Sequence, residues 1–140
     1  MKDTTDDVIK TLIEAAEKGD AVSQNKLGLR YKKGNGVEKN LEKAVYWYTK
    51  AAEQGLDKAQ SNLGLCYANG NGVEQDYKTA VYWYTKAAEQ GSAGAQFKLG
   101  SCYYLGNGVV KDHKKAVYWF NKAAAQGQEE AKKMLDVINN

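Results

Sequence analysis

Ala44-Val45-Tyr46-Trp47-Tyr48-Thr49-Lys50-Ala51-Ala52-Glu53-Gln54-Gly55 is a twelve-residue stretch that recurs letter for letter as residues 80–91. A third, slightly altered copy stands at residues 116–127, and both intervals are 36 residues long. A fixed period between about 20 and 50 residues is typical of stacked supersecondary units. The sequence therefore predicts a repeat protein.

Each copy lies in the second of two predicted helices that make one unit. The first helix carries Leu-Gly, as in Leu63-Gly64, and this glycine predicts a close helix–helix approach because glycine in a helix otherwise costs about 1 kcal/mol. Gly-Asn-Gly-Val ends the first helix, since glycine accepts the left-handed conformation that terminates helices. Three side chains are predicted to cap the second helices: Asn40, Asp76 and Asp112.

The periodicity divides one domain, residues 1–140, into five parts. Ala15-Ala16 echoes Ala51-Ala52 at the same interval, so the chain is expected to start on a half-unit. The predicted parts are an N-terminal half-repeat at 6–19, three repeats at 20–55, 56–91 and 92–127, and a C-terminal capping helix at 128–140. This predicts an all-α protein of eight helices.

Composition and charge exclude several classes of protein. Twenty basic and seventeen acidic residues give a net charge of +3, whereas nucleic-acid binders usually concentrate a stronger basic excess on one face. No apolar run approaches the roughly 18 residues of a membrane helix. We therefore expect neither a nucleic-acid nor a membrane partner. The acidic first residues do not resemble a signal peptide. The sequence leaves open whether a signal peptide has been removed.

The two cysteines, Cys66 and Cys102, lie one repeat apart at equivalent positions. Equivalent positions on packed helices are about 8–10 Å apart, whereas a disulfide needs Cα atoms within about 7 Å. We expect two free thiols and, with them, a cytoplasmic location. Because both align with Arg30, we also expect them to be partly exposed.

No constellation of side chains indicates catalysis, a cofactor or a metal. His113 aligns with Leu41 and Tyr77 and is expected at a packing position. A metal site or an acid–base pair would need further ligands or partners around it. The tryptophans, Trp47, Trp83 and Trp119, share a helix face with Ala51 and are expected to form a core ladder. The chain is therefore predicted not to be an enzyme.

The central unit contains Ala59, Leu63-Gly64, Gly70-x-Gly72-Val73, Asp76, Ala80-x-x-Trp83, Lys86-Ala87-Ala88 and Gly91. This pattern resembles the Sel-1-like repeat family, which is related to the tetratricopeptide repeats, and the other two units match almost as fully. The resemblance implies a right-handed α/α superhelical solenoid whose concave face is lined by the first helix of each unit. It also implies an adaptor or scaffold that binds other proteins.

The resemblance further implies which residues face the concave groove. Carried over by their spacing from the Leu of Leu-Gly, the ligand positions of tetratricopeptide relatives are Asn25, Leu29, Lys32, Lys33, Ser61, Leu65, Asn69, Phe97, Ser101 and Tyr104. The same spacing adds Val22, Lys58, Ala68, Gly94 and Leu105. These positions vary between units, so stacking alone does not explain them.

We expect a monomer that holds a peptide or a small domain in this groove. Phe97 and Tyr104 would anchor an apolar side chain, and Lys32 with Lys33 would meet an acidic stretch. One alternative is that the C-terminal helix folds over Phe97 and covers it. For function, the alternatives are a dedicated inhibitor or immunity-type partner of one toxin or enzyme, and a consensus-like designed scaffold without an evolved ligand.

Overall fold

The computed structural model describes residues 4–140, which form eight α-helices and no strand. The helices are α1 (Thr4–Glu17), α2 (Ala21–Lys33), α3 (Leu41–Glu53), α4 (Asp57–Asn69), α5 (Tyr77–Glu89), α6 (Ala93–Leu105), α7 (His113–Ala125) and α8 (Glu129–Asn139). Each helix packs mainly against its neighbours in the chain. The predicted eight-helix solenoid is confirmed.

The helix ends follow the turn chemistry of the sequence. Gly34, Gly70 and Gly106 end the first helices in the left-handed conformation, with φ of 70°, 68° and 74°. At the starts of the second helices, the predicted capping side chains accept hydrogen bonds from backbone N–H groups three residues on: Asn40 from Lys43, Asp76 from Thr79, and Asp112 from Lys115. These caps fix where each unit turns back on itself.

The two helices of a unit meet at the glycine of Leu-Gly. A Cβ atom at Gly64 would lie 2.8 Å from the ring carbons of Tyr84, so only glycine allows this approach. Gly28 against Tyr48 and Gly100 against Phe120 repeat the contact. The predicted close approach is confirmed, and its partner is an aromatic ring of the second helix.

The buried aromatic residues are Tyr48, Tyr84 and Phe120, and not the tryptophans. Each tryptophan is half-buried and meets the exposed ring before it edge-on, as Trp83 meets Tyr82 at a centroid distance of 4.9 Å. Trp83 also packs against the core cluster that α3 and α4 form between the first and second units. The expectation of a buried tryptophan ladder is therefore wrong in part. The apolar stripe of each second helix is centred on the residue that follows the tryptophan, so the indole lies at the edge of that stripe.

Successive units are joined by a repeated pair of glutamines. Gln60 is buried, and its Nε2 donates to the carbonyl of Ala52 at 3.2 Å. The Nε2 of Gln90 donates both to Gln60 Oε1 at 2.8 Å and to the carbonyl of Gly55 at 3.0 Å. The pairs Gln24–Gln54 and Gln96–Gln126 make the same bonds in the other units. Side-chain amides thus donate hydrogen bonds to backbone carbonyls at the turns between units.

The two thiols are free but buried, so the expectation of partial exposure is wrong. Cys66 is 5% exposed and Cys102 is 6% exposed. Arg30 occupies the same position in the first unit, but there Leu12 of α1 stands where Tyr48 and Tyr84 stand in later units. The smaller side chain leaves an opening into which Arg30 extends. The alignment with Arg30 therefore gave a wrong prediction for the exposure of Cys66 and Cys102.

His113 is the first residue of α7, and it is exposed rather than packed in the core. Its imidazole stacks on the ring of Tyr104, with a centroid distance of 4.8 Å and an angle of 18° between the planes. The expected packing position is therefore wrong. Its neighbour Asp112 caps the helix, so His113 lies at the turn where α7 begins.

Candidate functional site

A groove of about 640 Å³ crosses the first helices of the three units, α2, α4 and α6. We call this the central groove. It is lined by Val22, Asn25, Lys26, Leu29, Leu56, Lys58, Ser61, Asn62, Leu65, Tyr84, Ser92, Gly94, Ala95 and Lys98. The first helices supply most of these residues because the second helices turn their apolar stripe toward the core.

Hydrogen bonds between side chains hold the walls of the central groove together. Asn62 Nδ2 of α4 donates to Asn25 Oδ1 of α2 at 3.0 Å. The hydroxyl oxygens of Ser61 and Ser92 lie 3.5 Å apart, and Ser92 also caps the start of α6. The three first helices are therefore joined by polar contacts at the surface that the groove presents.

The floor of the groove combines apolar side chains with one buried hydroxyl. Leu29 and Leu65 occupy equivalent positions in successive units, and both line the groove. Tyr84 lies beneath them, only 2% exposed, and its hydroxyl has no hydrogen-bond partner among residues 4–140. Burial raises the pKa of Tyr84 above its usual value, with a smaller contribution from the nearby Cys102 thiol. The phenol therefore stays protonated and can both donate and accept a hydrogen bond.

A second opening of about 520 Å³ lies between α1 and α2, and we call it the N-terminal cleft. It is lined by Val8, Thr11, Leu12, Ala15, Ser23, Lys26, Leu29, Arg30, Lys33 and Asn35. Lys26 and Leu29 belong to both openings, so the N-terminal cleft continues the central groove past the first unit.

The charges along both openings have one sign. Five cationic side chains line them: Lys26, Arg30, Lys33, Lys58 and Lys98. No aspartate or glutamate is among the lining residues that the structure describes. Asp20 lies near Lys26, and hydrogen bonds from Ser23 lower the pKa of its carboxylate, which keeps it ionised. Asp20 therefore offsets part of the charge of Lys26, but among the described lining residues there are five positive charges and no negative one.

The predicted ligand residues divide into two groups. Asn25, Leu29, Ser61 and Leu65 line the central groove together, as do Val22, Lys58 and Gly94. Lys33 lines the N-terminal cleft. The others do not line either opening: Lys32, Ala68, Asn69, Phe97, Ser101, Tyr104 and Leu105. In the first two units, the positions that line the central groove lie toward the start of the first helix and the omitted ones lie near its loop.

Phe97 and Tyr104 have partners within the fold. The ring of Phe97 packs on Phe120 at a centroid distance of 5.8 Å, in a cluster to which Ala131 of α8 also belongs. Ser101 donates a hydrogen bond to the carbonyl of Phe97 at 3.0 Å. Since His113 stacks on Tyr104, neither aromatic ring stands free. Phe97 thus lies beside residues of α7 and α8, although its ring is only half-buried and the C-terminal helix does not hide it fully.

The ligand positions taken from tetratricopeptide relatives did not include several residues that line the groove. Lys26, Asn62 and Lys98 each directly precede the Leu of Leu-Gly, and all three line the groove. Their variation between units was visible in the sequence and could have identified them. Tyr84 could not have been found in this way, because its position in the second helix is aromatic in all three units.

Metal-binding clusters and membrane-spanning helices are both absent from residues 4–140. This part of the chain holds no group of three or more His, Cys, Asp or Glu side chains placed to bind a metal ion. It also has no helix with the length and apolar character needed to cross a membrane. Both thiols are protonated at neutral pH, because burial raises the pKa of Cys66 and raises that of Cys102 to about 11.

Comparisons with known proteins agree with this architecture. The family model for the Sel1 repeat matches residues 21–56, 57–92 and 93–128. A Sel1 repeat protein from Oxalobacter formigenes is 44% identical over 91% of this chain and 96% of that one, with a TM-score of 0.83. Helicobacter pylori cysteine rich protein B is 27% identical over 94% of each chain, with a TM-score of 0.72. No curated protein matches the sequence.

A longer relative is c5321 of uropathogenic Escherichia coli, described as a protective antigen with an SLR fold. It is 48% identical over 87% of this chain, with a TM-score of 0.85. The present chain spans only 26% of its length. Because the three matched repeats cover most of the sequence, the chain belongs to the Sel1 repeat family.

Proposed function

We propose that this protein is a non-enzymatic interaction scaffold that holds an extended peptide segment of another protein in the central groove. Sel1 repeats generally serve as scaffolds for protein–protein interaction. The observation that carries the proposal is the groove itself. It runs across three units and joins an apolar floor at Leu29 and Leu65 to polar groups at Asn25 and Ser61.

The side chains of the groove support a peptide ligand in particular. Binding sites commonly combine an apolar surface with a few polar groups that fix orientation. Leu29 is 39% exposed although it lies beside the core residue Gly28. Its equivalent Leu65 is half-buried. An apolar side chain of a ligand can be buried between these two leucines, while Asn25 and Ser61 offer hydrogen bonds to its backbone.

The experiment selects ligands without assuming their sequence. Random peptides displayed on phage are enriched on the immobilised protein and then retested on Leu29→Ser/Leu65→Ser. We expect enriched peptides to lose about tenfold or more of their affinity, because two apolar contacts are removed.

The matched control is Tyr46→Ser/Tyr82→Ser. These tyrosines are 54% and 53% exposed and apolar in part, but they lie on the second helices, away from the central groove. The control should bind the enriched peptides as the wild type does. Equal binding by the groove variant, or failure to enrich any peptide, would contradict the proposed function.

The proposal extends to the state and location of the molecule. We place it as a monomer in the cytoplasm; the location rests on both cysteines being free and buried, as suits a reducing compartment. Light scattering after size exclusion should give the mass of one chain, and cell fractionation should find the protein with cytoplasmic markers. A stable dimer or a surface fraction would contradict these two assignments.

A further inference from the structure

We infer that the segment taken by the central groove is acidic, with carboxylates that meet Lys26, Lys58 and Lys98 and an apolar side chain between Leu29 and Leu65. The inference rests on the proposed function, since it names the chemistry of the occupant of that groove. It differs from the expectation drawn from sequence, which placed the acidic contact at Lys32 and Lys33.

Positive charge is distributed across all three first helices of the groove. Each of the three first helices contributes one of the lysines, and no described carboxylate lines the groove. The whole chain carries 17 acidic residues against 20 basic ones, so an acid-free groove does not simply reflect composition. None of these lysines forms an ion pair with a described carboxylate. A ligand that supplied the missing negative charge would be electrostatically complementary to the groove.

The row of lysines has the length of a short extended peptide. Packed helices lie about 8–10 Å apart, so the span from α2 to α6 is about 20 Å. An extended chain rises about 3.3 Å per residue, so roughly six residues cross the groove. Carboxylates about three residues apart would therefore reach lysines of successive units.

The buried hydroxyl of Tyr84 has no hydrogen-bond partner among the described residues. A buried polar group without a partner is costly, and native structures seldom leave one unexplained. Phe120 occupies the equivalent place in the third unit and packs there without a hydroxyl, so the fold does not require one. Two buried hydroxyls have no partner among the described residues, those of Tyr48 and Tyr84, and only Tyr84 lines the groove. A polar atom of a ligand that enters beside Leu65 would give the hydroxyl of Tyr84 a hydrogen-bond partner.

The same features favour a peptide over a nucleic acid. Sites for single-stranded nucleic acid combine cations with aromatic rings on which bases stack. The only aromatic residue of the described groove lining is Tyr84, whose ring is buried against Gly64. Leucines occupy the accessible floor instead.

The test begins with the composition of selected peptides. Random peptides about 12 residues long, twice the estimated span, are enriched on the wild type and on Lys26→Glu/Lys58→Glu/Lys98→Glu. We expect Asp and Glu to be enriched on the wild type, and Lys and Arg on the charge-reversed variant. Both proteins should melt at similar temperatures, since all three lysines are exposed.

The matched control is Lys50→Glu/Lys86→Glu/Lys122→Glu. It changes the net charge by the same amount at exposed lysines that lie over Tyr46, Tyr82 and Tyr118 on the second helices. This control should keep the preference for acidic peptides. If it loses that preference to the same extent, net charge rather than the groove selects the ligand, and the inference is overturned.

One enriched acidic peptide, labelled with fluorescein, then gives affinities. Charge reversal in the groove should weaken binding about tenfold or more, and binding should weaken between about 0.05 M and 0.5 M salt because exposed charges are screened. Tyr84→Phe should weaken it about threefold to tenfold, as loss of one hydrogen bond does. An unchanged affinity for Tyr84→Phe would remove the role of the hydroxyl.

The outcomes separate this inference from the proposed function. Peptides that depend on Leu29 and Leu65 but show no acidic enrichment would overturn the inference and leave the scaffold function standing. Peptides that ignore the two leucines would overturn both. A labelled oligothymidylate that binds the groove more tightly than the acidic peptide would overturn the choice of a peptide ligand.

Discussion

The ring of Tyr84 lies so close to the backbone of Gly64 that a Cβ atom there would stand 2.8 Å from both Cδ1 and Cε1. The contact brings α4 and α5 together in the central unit. Because the ring is 2% exposed and packed on every side, it cannot move away freely. The absence of a side chain at residue 64 is therefore a requirement of the fold.

Gly64→Ala should lower the free energy of unfolding by about 1–3 kcal/mol through overpacking, although alanine has the higher helix propensity. Gly94→Ala is the control, because Gly94 is also helical and no heavy atom lies within 4 Å of its added Cβ. It should leave stability unchanged or raise it by a few tenths of a kcal/mol. Urea unfolding of both variants measures the difference, and equal stabilities would contradict the close contact.

Tyr48→Phe should leave stability unchanged or raise it, by up to about 1 kcal/mol. The hydroxyl of Tyr48 is buried without a partner among the described residues, so its removal ends an unfavourable desolvation. Phe120 already fills the equivalent place in the third unit. Thermal unfolding followed by circular dichroism measures the change. A loss above about 1 kcal/mol would mean that the hydroxyl makes a hydrogen bond in solution.

Gln60→Ala should destabilise the protein by about 1–3 kcal/mol, because Ala52 and Gln90 lose a buried hydrogen-bond partner. Gln90→Ala should cost less, since Gln90 is exposed. In a double-mutant cycle the two changes should couple by about 0.5 kcal/mol or more. Strict additivity in urea unfolding would show that the pair does not act as a unit.

Phe97→Ala should lower the melting temperature by several degrees, because the ring packs on Phe120 and against the cluster shared with α8. Leu105→Ala serves as the control on the same helix, since Leu105 is 62% exposed. It should melt like the wild type. If Phe97→Ala melts like that control and loses peptide binding, Phe97 belongs to the ligand site after all.

Stability should fall as the pH rises from about 9 to about 11. Burial raises the pKa of Cys102 to about 11 from an ordinary value near 9, so the unfolded chain releases this proton first. In that window the folded state binds more protons than the unfolded state, and alkali therefore favours unfolding. Urea titrations at pH 8 and pH 10.5 measure the loss. Cys102→Ala should reduce the pH dependence, and an unchanged dependence would assign it to other groups.

Features that repeat were predictable from the sequence, and features that break the repeat were not. The period located the helices, the capping residues and Gly64 because each unit solves the same local problem. Alignment failed at Arg30 because its environment depends on Leu12, a single change in a neighbouring helix. A comparison of units assumes that every unit has the same neighbours. The first unit does not, because α1 precedes it.

The same distinction between repeated features and exceptions applies to the candidate site. Asn25, Leu29, Ser61 and Leu65 were found because spacing along a straight helix fixes the face of each side chain. Phe97 stands at the same place in the third unit, but α7 and α8 supply it with apolar partners. Whether a residue on the concave face stays open depends on such tertiary contacts, which spacing does not describe.

The paired glutamines make the same hydrogen bonds at each junction between units. Every bond that Gln60 and Gln90 make has its counterpart one period earlier and one period later. An extra copy of residues 57–92 could therefore be spliced in without creating a junction of a new kind. The number of units therefore sets the length of the molecule in equal steps. A gene that gained one copy of this unit by recombination would encode a longer groove with the same junctions between units.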